Sequence, residues 1–394
     1  ALAIDLEVVG AEIARIDRPN PALFVGSGLI ERLAARAEEE EVELFVFDCT
    51  LSPAQQRNLE RALNRKVIDR TGLILEIFGA RARTREGRLQ VDLAALTYQR
   101  SRLVRSWTHL ERQRGGGAFM GGPGERQIEL DRRMLDDRIQ KLRRELEQVK
   151  RTRGLHRSAR EKVPYPVVAL VGYTNAGKST LFNRLTSAEV MVADMLFATL
   201  DPTMRQLDLP SGETVILSDT VGFITDLPLD LIAAFRATLE EVVSADVILH
   251  VRDVSDPEHE AQKESVDAVL EDLGLTPGEG ERPIIEVLNK IDLLEPERRA
   301  RLREQAARQD LAIAVSALSG EGLENLSALI ARCLQRDHEV LDLKLDAADG
   351  ETLAWLYRHG QVLEREEQEQ FMRLRVSLSP LQRARFEQRQ ATRT

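Results

Sequence analysis

Three short segments carry side chains whose types and spacing suit phosphate and purine chemistry. Gly172-Tyr173-Thr174-Asn175-Ala176-Gly177-Lys178-Ser179 has the form GxxxxGK[ST]. An apolar run, Val167 to Val171, precedes it, and a helical pattern, Thr180 to Leu185, follows. Glycines let backbone N–H groups converge on phosphate oxygens, and the helix turns its positive end to the same oxygens. Lys178 is spaced to reach the β- and γ-phosphates, and the Ser179 hydroxyl to ligate Mg²⁺. A chance match would lack the flanking strand and helix, and both are present. The base is read elsewhere. Asn289-Lys290-Ile291-Asp292 closes the apolar stretch Ile284 to Leu288, at the strand end where doubly wound sheets bind ligands. A carboxylate at Asp292 can accept from guanine N1–H and the exocyclic amine; adenine offers neither donor there. Asn289 and the Lys290 stem are expected to buttress the base. Ser316-Ala317-Leu318 suits a backbone contact to guanine O6. GTP and GDP are therefore the expected ligands, and GTP hydrolysis the expected reaction. A metabolic P-loop kinase is argued against by Asn289 to Asp292.

Two further segments face the γ-phosphate in this reading. Asp219-Thr220-Val221-Gly222 follows the run Val215 to Ser218. Asp219 is expected to hold Mg²⁺ through water, and the Gly222 N–H to touch the γ-phosphate. Phe197-Ala198-Thr199-Leu200-Asp201-Pro202-Thr203 offers Thr199 as a Mg²⁺ ligand. Thr203 is the alternative, and an ordinary loop hydroxyl is the plainer reading of Thr199. Phe223 stands where Ras-like enzymes carry a water-orienting glutamine, and a phenyl ring cannot hold water. A low intrinsic rate and a stimulating partner follow. Asn175 has two readings: a K⁺ ligand beside the phosphates, as in several glutamine-lacking GTPases, or a residue that only shapes the loop.

These segments need a scaffold. From about Val163 to Arg336, strand candidates alternate with helical stretches, which predicts a doubly wound, Ras-like P-loop NTPase of the α/β class over residues 163–337. Residues 1–88 read as a small α/β unit. Its strands are expected at Ala22 to Val25, Leu44 to Phe47 and Val67 to Ile68, with helices over Gly28 to Ala37 and Ser52 to Leu63. Val25-Gly26-Ser27-Gly28 reads as a cap rather than a second nucleotide site. Residues 89–162 read as a long antiparallel helical hairpin. Leu89, Leu93, Leu96, Leu103, Trp107 and Leu110 form one narrow seam, with Arg100 filling a gap; Leu135, Ile139, Leu142, Leu146 and Val149 form the other. A glycine-rich tip joins them. Residues 338–394 read strand, helix, strand, strand, helix, a small α+β domain.

Charge divides along the same lines. Arg100 to Lys162 holds eighteen Lys/Arg against nine Asp/Glu, on a chain of 394 residues with net charge −10. A basic segment on an acidic protein suits approach to a polyanion, and a solvated Arg-rich hairpin is the plainer alternative. At the tip, Arg112, Arg114, Gly115, Gly116, Gly117, Phe119 and Arg126 are the candidate RNA contacts: the arginines for phosphates, the phenyl ring for stacking, the glycines for threading. No apolar run reaches the ~20 residues of a membrane span, so no transmembrane segment is expected; attachment at a membrane surface stays open. Cys49 and Cys333 are the only cysteines, and neither a metal site nor a disulfide framework follows. A reducing cytoplasm is the expected compartment. No basic segment with an apolar stretch opens the chain, as a secretory signal would, and Ala1 stands in place of an initiator Met.

GYTNAGKSTLFNRLT, LFATLDPT, DTVGFI, NKID and SAL, in this order and spacing, resemble the HflX family of translational GTPases. LSPAQQRNLE, VIDRTGLILEIFGARARTREGRLQVDLA and RLVRSWTHLERQRGGGAFMGGPGERQIELDRR extend the resemblance through the N-terminal half. It covers about Ala22 to Arg336, and the tail more loosely. The resemblance implies a GTPase that binds the large (50S) subunit and its 23S rRNA and dissociates 70S ribosomes, notably in heat stress. It also implies that the glycine loop, here Arg114 to Arg126, enters near the peptidyl transferase centre. The second glycine cluster reads Met120-Gly121-Gly122-Pro123-Gly124-Glu125, with Gly where the family pattern has Arg. The resemblance implies that the chain starts inside the family's first βα unit, and a monomer is expected. A GTP-dependent large-subunit assembly or RNA-remodelling factor is the alternative, and a signalling switch with a protein effector is a third reading.

Overall fold

Helix signals in the N-terminal segment decide its local structure. Ser52 caps the helix that starts at Pro53: its hydroxyl accepts from the Gln55 amide, and the Gln55 side chain accepts from the Ser52 amide. Asp69 does the same for the next helix, accepting from the Gly72 amide. The computed structural model describes residues 4, 6–113, 123–160, 165–186, 203–223, 239, 241–275, 282–336, 338–346, 349–368, 371–378 and 380–391. Contacts group the chain into two units. The first takes residues 1–164, 191–202 and 220–240, and the second takes the remainder.

In the first unit, α1 (Ser27–Glu39), β1 (Leu44–Phe47), α2 (Pro53–Leu63), β2 (Lys66–Asp69) and α3 (Arg70–Arg81) follow in order. β1 and β2 pair in parallel, with Leu44 opposite Lys66. Val25, Ile30, Leu51, Leu59, Leu63 and Val67 bury together as their core. The strand expected at Ala22 to Val25 does not form. Asn20 accepts from the Ala22 and Leu23 amides, and Phe24 adopts φ 65, so the segment closes as a turn. Gly26 caps α1, in line with the cap reading. Helix α3 carries no expectation from the pattern, because Leu73 to Phe78 is apolar on most sides. It is buried at Thr71, Ile74, Leu75, Ile77 and Phe78.

Helices α4 (Arg85–Gln113) and α5 (Pro123–Arg160) form the hairpin. Arg100 pairs with Asp136 at 2.9 Å. Each lies thirteen residues from the near end of its helix, so the two run antiparallel. Arg100, the polar gap in the seam, is thus an interhelical tie. The middle of α4 is anchored by one fully buried carboxylate. Asp69 accepts from the Tyr98 hydroxyl at 2.5 Å, Arg102 at 3.1 Å and the amides of Leu51 and Gly72. Removing one partner of such a pair costs on the order of 3–5 kcal/mol. Burial and the neighbouring Asp69 push the Tyr98 hydroxyl far above its usual pKa, so it stays a donor. The tip, Arg114–Gly122, lies outside the described residues, as do the side chains of 103–128.

The second unit is built on a six-stranded sheet. In chain order come β3 (Val167–Gly172), α6 (Lys178–Thr186), β4 (Thr203–Asp208), β5 (Thr214–Asp219), β6 (Val247–Asp253), α7 (His259–Asp272), β7 (Ile284–Asn289), α8 (Pro296–Ala307), β8 (Ala312–Ala314) and α9 (Leu323–Gln335). The spatial order is β4-β5-β3-β6-β7-β8, parallel except for β4 against β5. Parallel strands with buried faces read as continuous apolar runs, and β3 and β6 are buried along most of their length. The doubly wound P-loop fold expected here is the fold observed. The C-terminal elements β9 (Glu339–Asp346), α10 (Gly350–His359), β10 (Gln361–Glu367), β11 (Phe371–Leu378) and α11 (Pro380–Ala391) follow the expected strand–helix–strand–strand–helix order. Their antiparallel sheet has the order β10-β11-β9, and Leu356, Leu374, Val376, Leu378 and Phe386 fill its core. No helix among the described residues is long and apolar enough to cross a membrane.

Candidate functional site

The carboxyl end of β3 turns directly into the glycine loop. Gly172 has φ 148 and Gly177 has φ 92, conformations closed to most residues. Space confirms the requirement. A Cβ on Gly172 would strike the Val251 carbonyl, and one on Gly177 would strike the Asn289 amide. Asn175 is left-handed at φ 63, which Asn tolerates better than most side chains. The Lys178 ammonium donates to the carbonyls of Gly172 at 3.1 Å and Tyr173 at 2.8 Å, folded back over the loop it belongs to. Burial lowers its pKa to about 8, and Asp219 acts in the opposite direction. A phosphate against this ammonium would raise its pKa again. The Thr174 hydroxyl is buried in the same loop with no partner.

Beside the loop, the Ser179 hydroxyl donates to Asp219 at 2.7 Å. These adjacent oxygens, one anionic, are hard donors of the kind Mg²⁺ takes, with water and phosphate filling its other positions. Among the described residues no group of three or more His, Cys, Asp or Glu could hold a metal ion.

Asn289 ends β7 and ties three loops together. Its amide donates to the Ala176 carbonyl at 2.8 Å and accepts from the Ala317 amide at 3.0 Å, with the side chain 1% exposed. Lys290 is left-handed at φ 65 and pairs with Asp253 at 2.6 Å. Asp292 sits in a single 3₁₀ turn, Ile291–Leu293, and its Oδ1 is buried without a hydrogen-bond partner. A buried carboxylate oxygen left unpaired costs about 1–3 kcal/mol or more, which a donor from a ligand would recover. Ser316 and Ala317 are buried, while Leu318 is exposed with its carbonyl held by Arg184. The second unit thus gathers Gly172–Ser179, Asp219, Asn289–Asp292 and Ser316–Leu318 at the strand ends.

Other expected residues fall elsewhere. Phe197, Ala198, Thr199, Leu200 and Asp201 lie outside the described residues. Thr203 opens β4, opposite Asp219. Thr220, Val221, Gly222 and Phe223 belong to the first unit, in which Val221 buries among Ile74, Ile77, Phe78 and Val91. Phe223 is 5% exposed. Asp253 went unread from the sequence, although a carboxylate ending the strand beside Asn289-Lys290-Ile291-Asp292 is a signal in retrospect.

Four family models match in succession. That described as GTP-binding GTPase N-terminal matches residues 1–79, and GTP-binding GTPase Middle Region matches 81–160. That described as 50S ribosome-binding GTPase matches 167–290, and HflX C-terminal domain matches 301–393. A protein of Magnetococcus marinus named GTPase HflX is 55% identical over 375 residues, 95% of this chain and 85% of that protein. GTPase HflX of Escherichia coli is 45% identical over 348 residues, 88% of this chain and 80% of that protein. A GTP-binding protein from Sulfolobus solfataricus, solved in complex with GDP, aligns over 81% of this chain and 88% of its own at 26% identity, with a TM-score of 0.43.

Proposed function

Because the chain belongs to the HflX family of GTPases, and is thereby a GTP hydrolase, we propose that it spends GTP on binding the large ribosomal subunit and dissociating 70S ribosomes. The observation that carries the nucleotide half is the unpartnered Asp292 oxygen beside a loop held open by Gly172 and Gly177. The ribosomal half is supported by the family described as 50S ribosome-binding GTPase and by a long antiparallel arm in the basic segment.

The roles follow from chemistry. Lys178 and the amides of Gly172 to Ser179 hold the β- and γ-phosphates. Ser179 and Asp219 hold Mg²⁺, which when bound supplies charge to neutralise the phosphate oxygens. Asp292 accepts from guanine, while Asn289 and Ala317 keep the base loops in register with the P-loop. By sequence, Thr199 is assigned to Mg²⁺ and the Gly222 N–H to the γ-phosphate. The division of labour we propose is an N-terminal α/β unit (1–88), an arm (89–162), the GTPase domain (163–337) and an α+β tail (338–394). The arm tip, with Arg112, Arg114, Gly115 to Gly117, Phe119 and Arg126, contacts 23S rRNA. A monomer working in the cytoplasm completes the proposal.

Purified 70S particles mixed with the protein and a non-hydrolysable GTP analogue are expected to lose light scattering. A variant lacking Gly115–Gly122 is expected to leave them intact, with ribosome-free GTP hydrolysis as the control for folding. No loss of 70S with the parent protein would favour a role in large-subunit assembly; loss with the deletion variant would remove the tip from the mechanism.

Asn175 is proposed to hold K⁺ beside the phosphates, in place of the water-orienting side chain that Phe223 cannot supply. Its backbone is left-handed, at φ 63, a conformation that Asn tolerates better than most side chains. Hydrolysis at equal ionic strength is expected to run about tenfold faster in K⁺ than in Na⁺. Equal rates would leave Asn175 as a loop residue only.

A further inference from the structure

Asp253 lies at the end of β6, opposite Asn289 in the β6–β7 register. The Val254 amide beyond it donates to the Asn289 carbonyl at 3.2 Å, so the two strand ends are fastened together. Both Asp253 oxygens are engaged. Oδ1 accepts from the Ser255 amide at 3.0 Å and the Ser255 hydroxyl at 2.5 Å, and Oδ2 accepts from the Lys290 ammonium at 2.6 Å. The side chains of Lys290 and Asp253 are 24% and 13% exposed, so solvent screens the pair only in part. The lysine stem passes along the P-loop: a methyl group on Gly177 would sit 4.0 Å from the Lys290 Cε.

We propose that Asp253 is a positioning residue of the purine pocket, which draws the Lys290 stem across the glycine loop and so prepares the wall against which guanine lies. The inference rests on the reading of Asn289 to Asp292 as the guanine-binding loop. A free lysine side chain carries about 2 kcal/mol of rotamer entropy, and a stem already fixed has little left to lose when the nucleotide arrives. The pairing also holds Lys290 in its left-handed backbone, a conformation that persists only when its surroundings over-determine it. Ser255 in turn holds the carboxylate, so Asp253 need not reorganise when Lys290 is lost. Asp253 touches no phosphate in this scheme, and its effect falls on affinity and not on the chemical step.

The test is a double-mutant cycle read by fluorescent-GDP binding and steady-state GTP hydrolysis. D253A is expected to weaken GDP binding and raise the KM for GTP about tenfold, with the loss confined to those two quantities. D253N, which keeps a neutral acceptor for Lys290, is expected to recover part of the loss. K290M is expected to match D253A, and the double variant D253A/K290M to be no weaker than K290M alone. Losses that multiply in the double variant would overturn the proposal, because Asp253 would then act independently of Lys290. So would a lowered kcat at saturating GTP, or a lowered melting temperature with nucleotide affinity intact. Parent protein that bound no guanine nucleotide would instead sink the reading of the loop. Parent binding with an unaltered D253A would sink the role of Asp253 alone.

Discussion

Replacing Lys178 with alanine is expected to lower GTP hydrolysis about a hundredfold to a thousandfold, and to weaken GTP more than GDP. The ammonium is the one cationic side chain the P-loop brings to the phosphates, and the β–γ link is where charge develops as the bond breaks. It is buried in the free protein, with its pKa lowered to about 8. The desolvation already suffered is recovered when phosphate oxygens replace the carbonyls of Gly172 and Tyr173. Alanine removes that charge and its two hydrogen bonds to the Gly172 and Tyr173 carbonyls. The fold should tolerate the change, since a buried cation whose hydrogen bonds go to neutral carbonyls adds little to stability. The measurement is single-turnover hydrolysis beside the melting temperature of nucleotide-free protein. A variant that still hydrolyses at the parent rate would place the catalytic cation elsewhere.

Asp292→Asn is expected to reduce GTP affinity about a hundredfold to ten-thousandfold and to improve xanthosine triphosphate at the same time. The carboxylate offers two acceptors, one of them buried without a partner. Guanine supplies two donors to meet them, and each charge-assisted bond is worth about 1.5–3 kcal/mol. An amide turns one acceptor into a donor, which then faces the guanine amine. Xanthine carries a carbonyl at that position and pairs with the amide. Competition between the two nucleotides against labelled GDP reads the switch directly. If the variant keeps the parent's order of preference, Asp292 does not read the base, and the assignment of the whole purine loop falls with it.

Much of this was open to a reader of the sequence, and for a definite reason. The glycine loop, Asn289 to Asp292 and Ser316 to Leu318 are local: each is a contiguous run whose backbone geometry follows from its own residues and the strand before it. Gly172 and Gly177 had to be glycine, and the structure shows the neighbours that a side chain would strike. The apolar runs β3 and β6 announced a parallel sheet because both faces are buried. Ala22 to Val25 failed because a short apolar run says nothing of its partner, and Asn20 offered the backbone a turn instead. Helix α3 was invisible because burial on most sides erases the periodicity that marks a helix.

Thus the residue order alone determined the phosphate loop, the purine loop, the alternation of strand and helix, and the basic arm, since these are written in neighbouring residues. Tertiary structure alone decided which distant groups meet. Asp69 reaches Tyr98 and Arg102 midway along α4, Asn289 reaches Ala176 and Ala317, and Asp253 reaches Lys290. Such pairings depend on strand order and register, and burial sets their strength by removing the water that would otherwise compete for each partner.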